Sequence, residues 1–257
     1  MRSGFEVQRA TIFALFLREI RTRFGKYRLG YLWAVLQPGG LLLMMLAAAH
    51  FVINRQMPGI SYTIFFTGGI VPWFLFNNIA VRSLTAVQAN AGLFNYRPVK
   101  PIDTIIARSL LELIIYSATY ACLLLFAWLI GDAPQIDNLI FLVGVFFLIG
   151  WFSMGVGLIL MIVGDAVSEA DKIMALLMRP LFYISGVFFS VESIPPEYRG
   201  YVLWNPLTHA IELNRIALFS GYEAHDASLL YLFLCSLVIN VTGLLIYRFR
   251  EKAMLSS

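Results

Sequence analysis

Six long runs of apolar residues constrain this 257-residue chain more than any other feature of its sequence. Each run is long enough, at about 18 residues or more with few charges, for an α-helix to cross the hydrocarbon core of a membrane. A helix suits that environment because it pairs every backbone amide within its own segment. We therefore predict an all-α polytopic membrane protein with six transmembrane helices. The predicted spans are residues 29–53, 60–81, 104–130, 139–164, 173–191 and 229–247.

The composition agrees with a single membrane domain. Hydrophobic residues make up 60% of the chain and charged residues only 13%, whereas about a quarter of residues are charged in an average soluble protein. The connectors are short, and none reaches the roughly 50 residues of a small soluble domain. We therefore expect one transmembrane domain over residues 1–257. Cys122 and Cys235 fall within predicted spans and are interpreted as small apolar residues rather than as a disulfide.

The distribution of lysine and arginine predicts the orientation, because cytoplasmic loops carry an excess of these residues. Fifteen of the nineteen fall on one side of the predicted topology, in the N-terminal arm, two connectors and the C-terminal tail. Arg55, Arg199 and Arg215 fall on the other side, and Arg179 lies within a span. Both termini are therefore predicted to be cytoplasmic, as six spans require. The net charge of +4 reflects this asymmetry, and no nucleic-acid partner is expected.

The sequence contains none of the common catalytic or nucleotide-binding motifs. It has no GxxxxGK(S/T) loop, no HExxH, no GxSxG and no cysteine–histidine cluster with the spacing of metal ligands. His50, His209 and His225 are far apart and are interpreted as ordinary interfacial residues. We therefore expect no catalytic residue, no metal site and no bound cofactor, so that the chain serves as a transmembrane path or as a scaffold.

Residues 1–28 are predicted to form an amphipathic helix in the cytoplasmic interface of the membrane. Four apolar positions fall within about 60° of one another on a helical wheel, namely Phe13, Leu17, Ile20 and Phe24. Charged positions occupy the rest of the circumference, namely Arg18, Glu19, Arg21 and Arg23. A plain topogenic anchor is the alternative interpretation, and it suits Arg2 and Arg9.

The stretch 18–24 suggests more than an anchor because it adjoins an unusual first span. Tyr31 and Trp33 follow it closely, and the step Pro38-Gly39-Gly40 lies within the span. A Pro-Gly-Gly step loosens a helix and allows it to bend. We therefore predict that Arg18, Glu19, Arg21, Arg23 and Phe24 belong to a helix beside a gate.

The outer connector, residues 192–228, is predicted to be re-entrant. Its two apolar pieces are too short to cross a membrane, and Pro196 and Pro206 suit the first turns of two short helices. Asn205 is the predicted cap of the second helix and Gly221 its predicted stop. The connector also carries three aromatic residues that suit either sugar stacking or headgroup anchoring, and composition favours anchoring. They are Tyr198, Tyr201 and Trp204.

Three stretches resemble one family of membrane proteins over nearly the whole chain. They are REIRTRFGKYRLGYLWAVLQP (18–38), LFNYRPVKPIDTIIARSLLE (93–112) and LWNPLTHAIELNR (203–215). Together with the tail at 247–257, they resemble the inner-membrane permease of the ABC-type exporters of bacterial capsular polysaccharide. Permeases for O-antigen and teichoic acid share the first and third elements and are the alternative. The segment FNYRPVKPIDT is similar to the capsule branch.

The resemblance implies the assembly and the cargo. It implies a multi-pass permease of the bacterial inner membrane that forms a homodimer with two copies of a separate ATP-binding subunit, which would bind ATP and Mg²⁺. It further implies a periplasmic co-polymerase-type partner and an outer-membrane export channel. The cargo would be a lipid-linked, often acidic polysaccharide.

The resemblance also gives the connector at residues 83–103 a role as a cytoplasmic coupling helix that docks on the ATPase. Prolines stiffen such a contact, aromatic side chains anchor it, and cationic ones add charge complementarity. The residues assigned to it are Phe94, Tyr96, Arg97, Pro98, Lys100, Pro101 and Asp103. The alternative is a positive-inside connector with incidental aromatics. Residues 165–172 either contact the same partner or form a solvated loop.

Arg179 lies near the middle of the fifth predicted span. An arginine there must face protein or water rather than lipid. It either lines a path for an anionic polymer, together with Tyr31, Trp33 and Tyr183, or pairs structurally with Glu112 or a backbone carbonyl. Glu112 itself is expected to pair with Arg108 one turn before it.

Two other classes of function fit the sequence less well. A membrane transferase needs clustered acids or histidines, and the acidic residues are scattered. A secondary transporter is expected to show two related halves, and the sequence has no convincing repeat.

Overall fold

A computed structural model describes residues 4–24, 30–49, 61–94, 99–222 and 224–254. These residues form ten α-helices and two short 3₁₀ turns, with no β-strand among them. The helices are α1 (Gly4–Phe24), α2 (Gly30–Ala48), α3 (Tyr62–Ser83), α4 (Ala91–Phe94), α5 (Pro101–Leu129), α6 (Leu139–Ala166), α7 (Ala170–Ile184), α8 (Pro196–Leu203), α9 (Pro206–Ile216) and α10 (Leu229–Met254). The predicted all-α class is confirmed.

Each predicted span coincides with one helix. Four of them, α3, α5, α6 and α10, are long and apolar enough to cross a membrane. The helix α2 is shorter, with an apolar segment at Leu32–Ala48, and α7 has 15 residues. The helix α7 ends at Ile184 rather than at residue 191, because Gly186 adopts a positive φ of 78° that continues no helix.

The helix α3 lies at the centre of the bundle, and most of its side chains are buried. It packs against α2, α5, α6 and α9, whereas α10 lies at the outside and packs mainly against α6. Small residues allow these close approaches. A Cβ atom on Gly164 of α6 would lie 2.0 Å from the Leu84 carbonyl oxygen, and one on Gly155 would lie 2.7 Å from Asn240 Nδ2 of α10. Any larger side chain at either position would push the helices apart.

In two helices with an internal proline, a side chain of a neighbouring helix donates to the carbonyl that the proline leaves without a helical partner. Proline has no backbone N–H, so it leaves the carbonyl four residues earlier without a helical donor. For Pro38 of α2 that carbonyl belongs to Ala34, which accepts from Thr119 Oγ1 of α5 at 3.5 Å. The Pro-Gly-Gly step was predicted to loosen this span, yet α2 is continuous across it.

The same repair occurs at Pro72 in α3. Its freed carbonyl belongs to Gly68, which accepts from Asn214 Nδ2 of α9 at 2.8 Å. Asn214 Nδ2 also lies 2.6 Å from the Tyr120 hydroxyl oxygen of α5. One amide therefore joins three helices, α3, α5 and α9.

The outer connector forms the two short helices predicted for it. Pro196 and Pro206 occupy first-turn positions, and Asn205 Oδ1 accepts from the Leu207 backbone N–H at 3.1 Å. The helix α9 ends at Ile216 rather than at Gly221, which lies in the following turn with a φ of 87°. The predicted cap is confirmed, and the predicted stop is five residues too late.

Candidate functional site

The N-terminal helix α1 lies along α5 and buries some of its charged side chains against the bundle. Glu19 is 9% exposed, whereas Phe13 and Leu17 are 61% and 42% exposed. The predicted helix is present, and both Glu19 and the apolar Leu15, at 4% exposure, contact the rest of the protein. This arrangement suits an interfacial helix, because the polar side chains find partners in α5 and the apolar ones can enter lipid.

Polar contacts fix α1 at both ends of its length. Near its start, Gln8 Nε2 donates to Asp103 Oδ1 at 3.2 Å. Near its end, Arg108 Nε donates to Glu19 Oε1 at 2.9 Å, and Arg23 forms an ion pair with Glu112. Arg21 is exposed, and the side chain of Phe24 is not described. The stretch 18–24 therefore packs against protein to a degree that a plain topogenic anchor would not need.

Glu112 lies at the centre of this charged contact and is 2% exposed. Its Oε1 atom pairs with Arg23 of α1 and lies 3.5 Å from Arg82 Nη1 at the end of α3. Arg108 was expected to be its partner, and that prediction is wrong. Arg108 instead binds Glu19 and donates from Nη1 to the Arg82 carbonyl oxygen at 2.7 Å. Tertiary partners replace the intrahelical pair because α1 covers this face of α5.

The helix α1 also holds the connector between α3 and α5. Arg18 donates from Nη1 to Asn90 Oδ1, and from Nη2 to the Ala89 carbonyl oxygen at 3.2 Å. Asn90 is buried and donates back to the Ala86 carbonyl oxygen at 2.7 Å. No sequence pattern indicated Asn90 as a partner of Arg18 or Arg82 as a partner of Glu112, because both contacts join residues far apart in the chain.

A single coupling helix is predicted over residues 83–103, but the connector does not form one continuous helix. The helix α3 ends at Ser83, and a turn, a 3₁₀ turn at Gln88–Asn90 and the four-residue α4 follow before α5 begins at Pro101. Its first turn is nevertheless firmly placed. Ala86 and Val87 are buried in an apolar cluster with side chains of α5, α6 and α10. Such packing holds the start of the connector against three helices.

The predicted docking residues of the connector have different surroundings. Phe94 is half-buried and packs against that apolar cluster. Lys100 is exposed, and its Nζ atom lies 3.1 Å from Glu251 Oε1 of α10. Pro101 and Asp103 are buried and begin α5, where Asp103 Oδ2 accepts from the Lys100 backbone N–H at 3.1 Å. Their side chains therefore shape the connector and do not form its outer surface. Tyr96, Arg97 and Pro98 lie outside the described residues.

The residues predicted to line a path lie on exposed surfaces of the single chain. Trp33 of α2 and Tyr183 of α7 are 66% and 62% exposed, and Arg179 is exposed as well. Within the described ranges no hydrogen bond, ion pair or ring contact joins these three. The alternative pairing of Arg179 with Glu112 is wrong, because Glu112 binds Arg23 and Arg82. The side chain of Tyr31 is not described.

The end of the bundle that carries α8 and α9 contains a buried ionic cluster that sequence reasoning missed. Arg215 of α9 is 0% exposed, and its Nη1 atom lies 3.0 Å from Glu212 Oε1. It also donates to the carbonyl oxygens of Val187 and Phe189 at 2.8 and 3.0 Å, and it stacks over the Phe65 ring at 3.6 Å. The sequence shows only that Glu212 and Arg215 are spaced at i and i+3, which suits an exposed helix surface equally well, so it did not predict their burial.

Around this cluster, the surface of the outer connector is aromatic. Tyr198, Tyr201 and Trp204 are 57%, 76% and 66% exposed, as headgroup anchors would be. A hydrogen bond from His225 lowers the pKa of Glu192, which lies in the 3₁₀ turn before α8. His209 is buried, and both of its ring nitrogens have partners, the Leu203 carbonyl oxygen and the Ser228 N–H. His209 therefore has its hydrogen bonds satisfied within the protein, and its interfacial position stays a prediction.

Three further expectations concern metals, cysteines and the loop after α6. Among the described residues, no group of three histidine, cysteine or acidic side chains could hold a metal ion. Cys122 and Cys235 are both free thiols, as expected from their positions in spans. The loop between Ala166 and Ala170 exposes Glu169, which leaves both interpretations of residues 165–172 open. His50 lies outside the described residues.

Comparison with known proteins assigns the family. The model of the family described as ABC-2 type transporter matches residues 10–219. The chain is 52% identical over 256 residues to the polysialic acid transport protein KpsM of Escherichia coli, with 100% of this chain and 99% of that protein covered. It is 29% identical over 244 residues to the capsule polysaccharide export inner-membrane protein CtrC of Neisseria meningitidis, with 93% and 90% covered. It is 25% identical over 242 residues to the O-antigen export system permease protein RfbA of Klebsiella pneumoniae, with 91% of each covered. The chain belongs to the ABC-2 type transporter family.

Proposed function

We propose that this chain is the transmembrane subunit of an ATP-driven exporter that moves lipid-linked capsular polysaccharide across the bacterial inner membrane. The observation that carries the proposal is full-length similarity, at 52% identity, to a protein named for polysialic acid transport. The helical fold fits this role, since four helices are long and apolar enough to span a membrane. Export of O-antigen is the second candidate, and the lower identity of 25% to a permease of that kind disfavours it.

The proposed assembly contains two copies of this chain and two copies of a separate ATP-binding subunit. A separate ATPase is required because the sequence has no phosphate-binding loop of its own. Both termini and the connector between α3 and α5 are proposed to face the cytoplasm, in keeping with the excess of cationic residues there. A periplasmic co-polymerase-type protein and an outer-membrane channel would receive the polymer.

The connector is the proposed docking surface for the ATPase. The exposed Lys100 and the aromatic and cationic residues at 96 and 97 would provide the contact. Support comes from the packing of the preceding turn, in which Val87 is 3% exposed. A fixed base of this kind lets a docked partner move the helices rather than merely deform a loop.

Complementation tests the proposed function. The chain is expressed in two bacterial strains, one lacking its own capsule permease and one lacking its O-antigen permease, and each surface glycan is measured. We expect restored capsule and no restored O-antigen. Restoration of O-antigen alone would select the second candidate, and failure in both strains with normal membrane insertion would contradict export of either polymer.

A further inference from the structure

The ionic contacts at the cytoplasmic end tie three helices to one carboxylate. We propose that Glu112 is a positioning residue that makes the ends of α1, α3 and α5 move as one unit and so carries motion from the connector to the span α5. This inference rests on the proposed export function, because it assigns Glu112 a part in coupling that export to ATP hydrolysis. Glu112 does not touch cargo or nucleotide in this role.

The first support is the distribution of charge around Glu112. One carboxylate, 2% exposed, lies between Arg23 of α1 and Arg82 of α3. One turn earlier on α5, Arg108 binds Glu19 of α1 at 2.9 Å and the Arg82 carbonyl oxygen at 2.7 Å. Removing one partner from a buried ion pair leaves an uncompensated charge, which is strongly unfavourable. Separation of any one helix from the other two is therefore costly, and joint motion is favoured.

The second support is a continuous link from this cluster to the connector. Arg18, five residues before Arg23 on the same helix, donates to Asn90 and to the Ala89 carbonyl oxygen. The connector is also continuous with α3, which ends one residue after Arg82. A displacement of the connector can therefore be transmitted to Glu112 by two routes, through α1 and through the end of α3.

The third support is an acceptor of Glu112 that this arrangement leaves unused. Its Oε2 atom is buried and accepts no hydrogen bond from the part of the chain that the structure describes. Arg82 approaches Oε1 at 3.5 Å, longer than a close charge-assisted hydrogen bond. A small shift of α3 toward α5 would let its guanidinium use both oxygens. Glu112 therefore has an acceptor in reserve, with which it can keep α3 tied to α5 when their spacing changes slightly.

The test compares export with ATP hydrolysis in membrane vesicles that contain the complete complex with its ATPase. In Glu112→Gln we expect the complex to assemble and hydrolyse ATP, while export per ATP falls by about tenfold, within the range of coupling through packed networks. Arg9→Gln is the matched control on the same helix, since Arg9 is exposed and lies away from Glu112. Normal export per ATP in Glu112→Gln would overturn the proposal.

The double variant Glu112→Gln with Arg23→Gln separates coupling from stability. It removes one of the two arginines that face the lost carboxylate, so we expect folded yield to recover in part while export per ATP stays low. Recovery of both quantities would show that Glu112 only balances charge, and the proposal would fall. Should Glu112→Gln not accumulate, Arg23→Gln alone leaves Glu112 paired with Arg82, and normal coupling in that variant would overturn the proposal as well.

A distance measurement tests the positioning role of Glu112 independently of which cargo is exported. Spin labels are placed at the exposed Thr22 of α1 and Trp128 of α5, after Cys122 and Cys235 are replaced by serine. We expect one narrow distance distribution with and without nucleotide, and a broad one after Arg23→Gln. A distribution that stays narrow in that variant refutes the positioning role even if export is confirmed. A narrow distribution that broadens as expected supports the role even if the cargo proves to be another polymer.

Discussion

Arg215 is the largest side chain that is fully buried in the described structure, and its charge depends on a single carboxylate. Three backbone carbonyls, those of Phe65, Val187 and Phe189, and the Phe65 ring also contact it. We predict that Glu212→Gln destabilises the folded protein by about 3 kcal/mol, because it leaves a buried guanidinium without its counter-ion. Denaturant titration in detergent micelles measures the change.

The matched control for Glu212→Gln is Asp226→Asn. Asp226 binds Arg199 at 2.9 Å, but its side chain is 40% exposed, so its loss is expected to cost less than about 1 kcal/mol. Equal losses in the two variants would show that burial of the Arg215 pair is not what stabilises α9.

A second prediction about a single side chain concerns Asn214. Its side chain donates to the Gly68 carbonyl, which Pro72 cannot do because it has no backbone N–H. Asn214→Ala is expected to cost about 2 kcal/mol, the usual loss when a buried carbonyl becomes unpaired. Pro72→Ala restores a backbone N–H, so in the Asn214→Ala background it should recover about half of that loss. A double-mutant cycle of unfolding free energies measures the coupling. Strictly additive effects of the two substitutions would contradict the repair of α3 by α9.

The helices themselves were largely predictable from the sequence, whereas their mutual contacts were not. Apolar length fixed the existence of α3, α5, α6 and α10, and proline and asparagine fixed the starts of α8 and α9. The end of α7 was missed because the chain stays apolar beyond Gly186. The direction in which α1 faces was also missed, because a helical wheel shows which residues share a face but not what covers it. Glu112 was assigned to Arg108 for the same reason.

The next prediction concerns the connector between α3 and α5 as a whole. If it docks on the ATPase, Tyr96→Ala should lower export at least about tenfold while insertion is normal, as loss of an aromatic anchor commonly does at interfaces. Phe94→Ala is expected to act differently, by loosening the connector itself, because Phe94 packs inward. The amount of ATPase that co-purifies with the permease and the amount of surface capsule are both measured for each variant. Phe249→Ala, at an exposed aromatic of α10, is the control.

Wild-type export and normal ATPase recovery in Tyr96→Ala would remove the docking role of this part of the connector. Reduced recovery in Phe94→Ala but not in Tyr96→Ala would indicate that the shape of the connector matters more than its aromatic anchor.

Arg179 links the single chain to the complete exporter. It is exposed on α7 beside exposed apolar residues such as Leu176 and Leu177. A guanidinium at membrane depth needs water or protein around it, so we infer that this surface faces a hydrated path or the second copy of the chain. Arg179→Ala should lower export several-fold, and Arg179→Lys should keep part of it, because a charge remains for an acidic polymer. Surface capsule and the yield of purified complex are measured together.

A loss of complex yield that parallels the loss of export in Arg179→Ala would contradict the path role and favour a structural role between the two copies. Unchanged export would contradict both roles.

The hydrogen bond from Asn214 to the Gly68 carbonyl also has a consequence for folding during synthesis. The two residues are 146 positions apart, so at about 5 to 20 residues per second the ribosome needs roughly 7 to 30 s to supply the second after the first. During that interval the Gly68 carbonyl of α3 lacks its Asn214 donor and must accept hydrogen bonds from water, lipid headgroups or the insertion machinery. We expect nascent chains stopped before α9 to be degraded faster than chains stopped after it, and Pro72→Ala to narrow the difference. Pulse-chase labelling of truncated chains measures both, and equal lifetimes would show that α3 completes itself without α9.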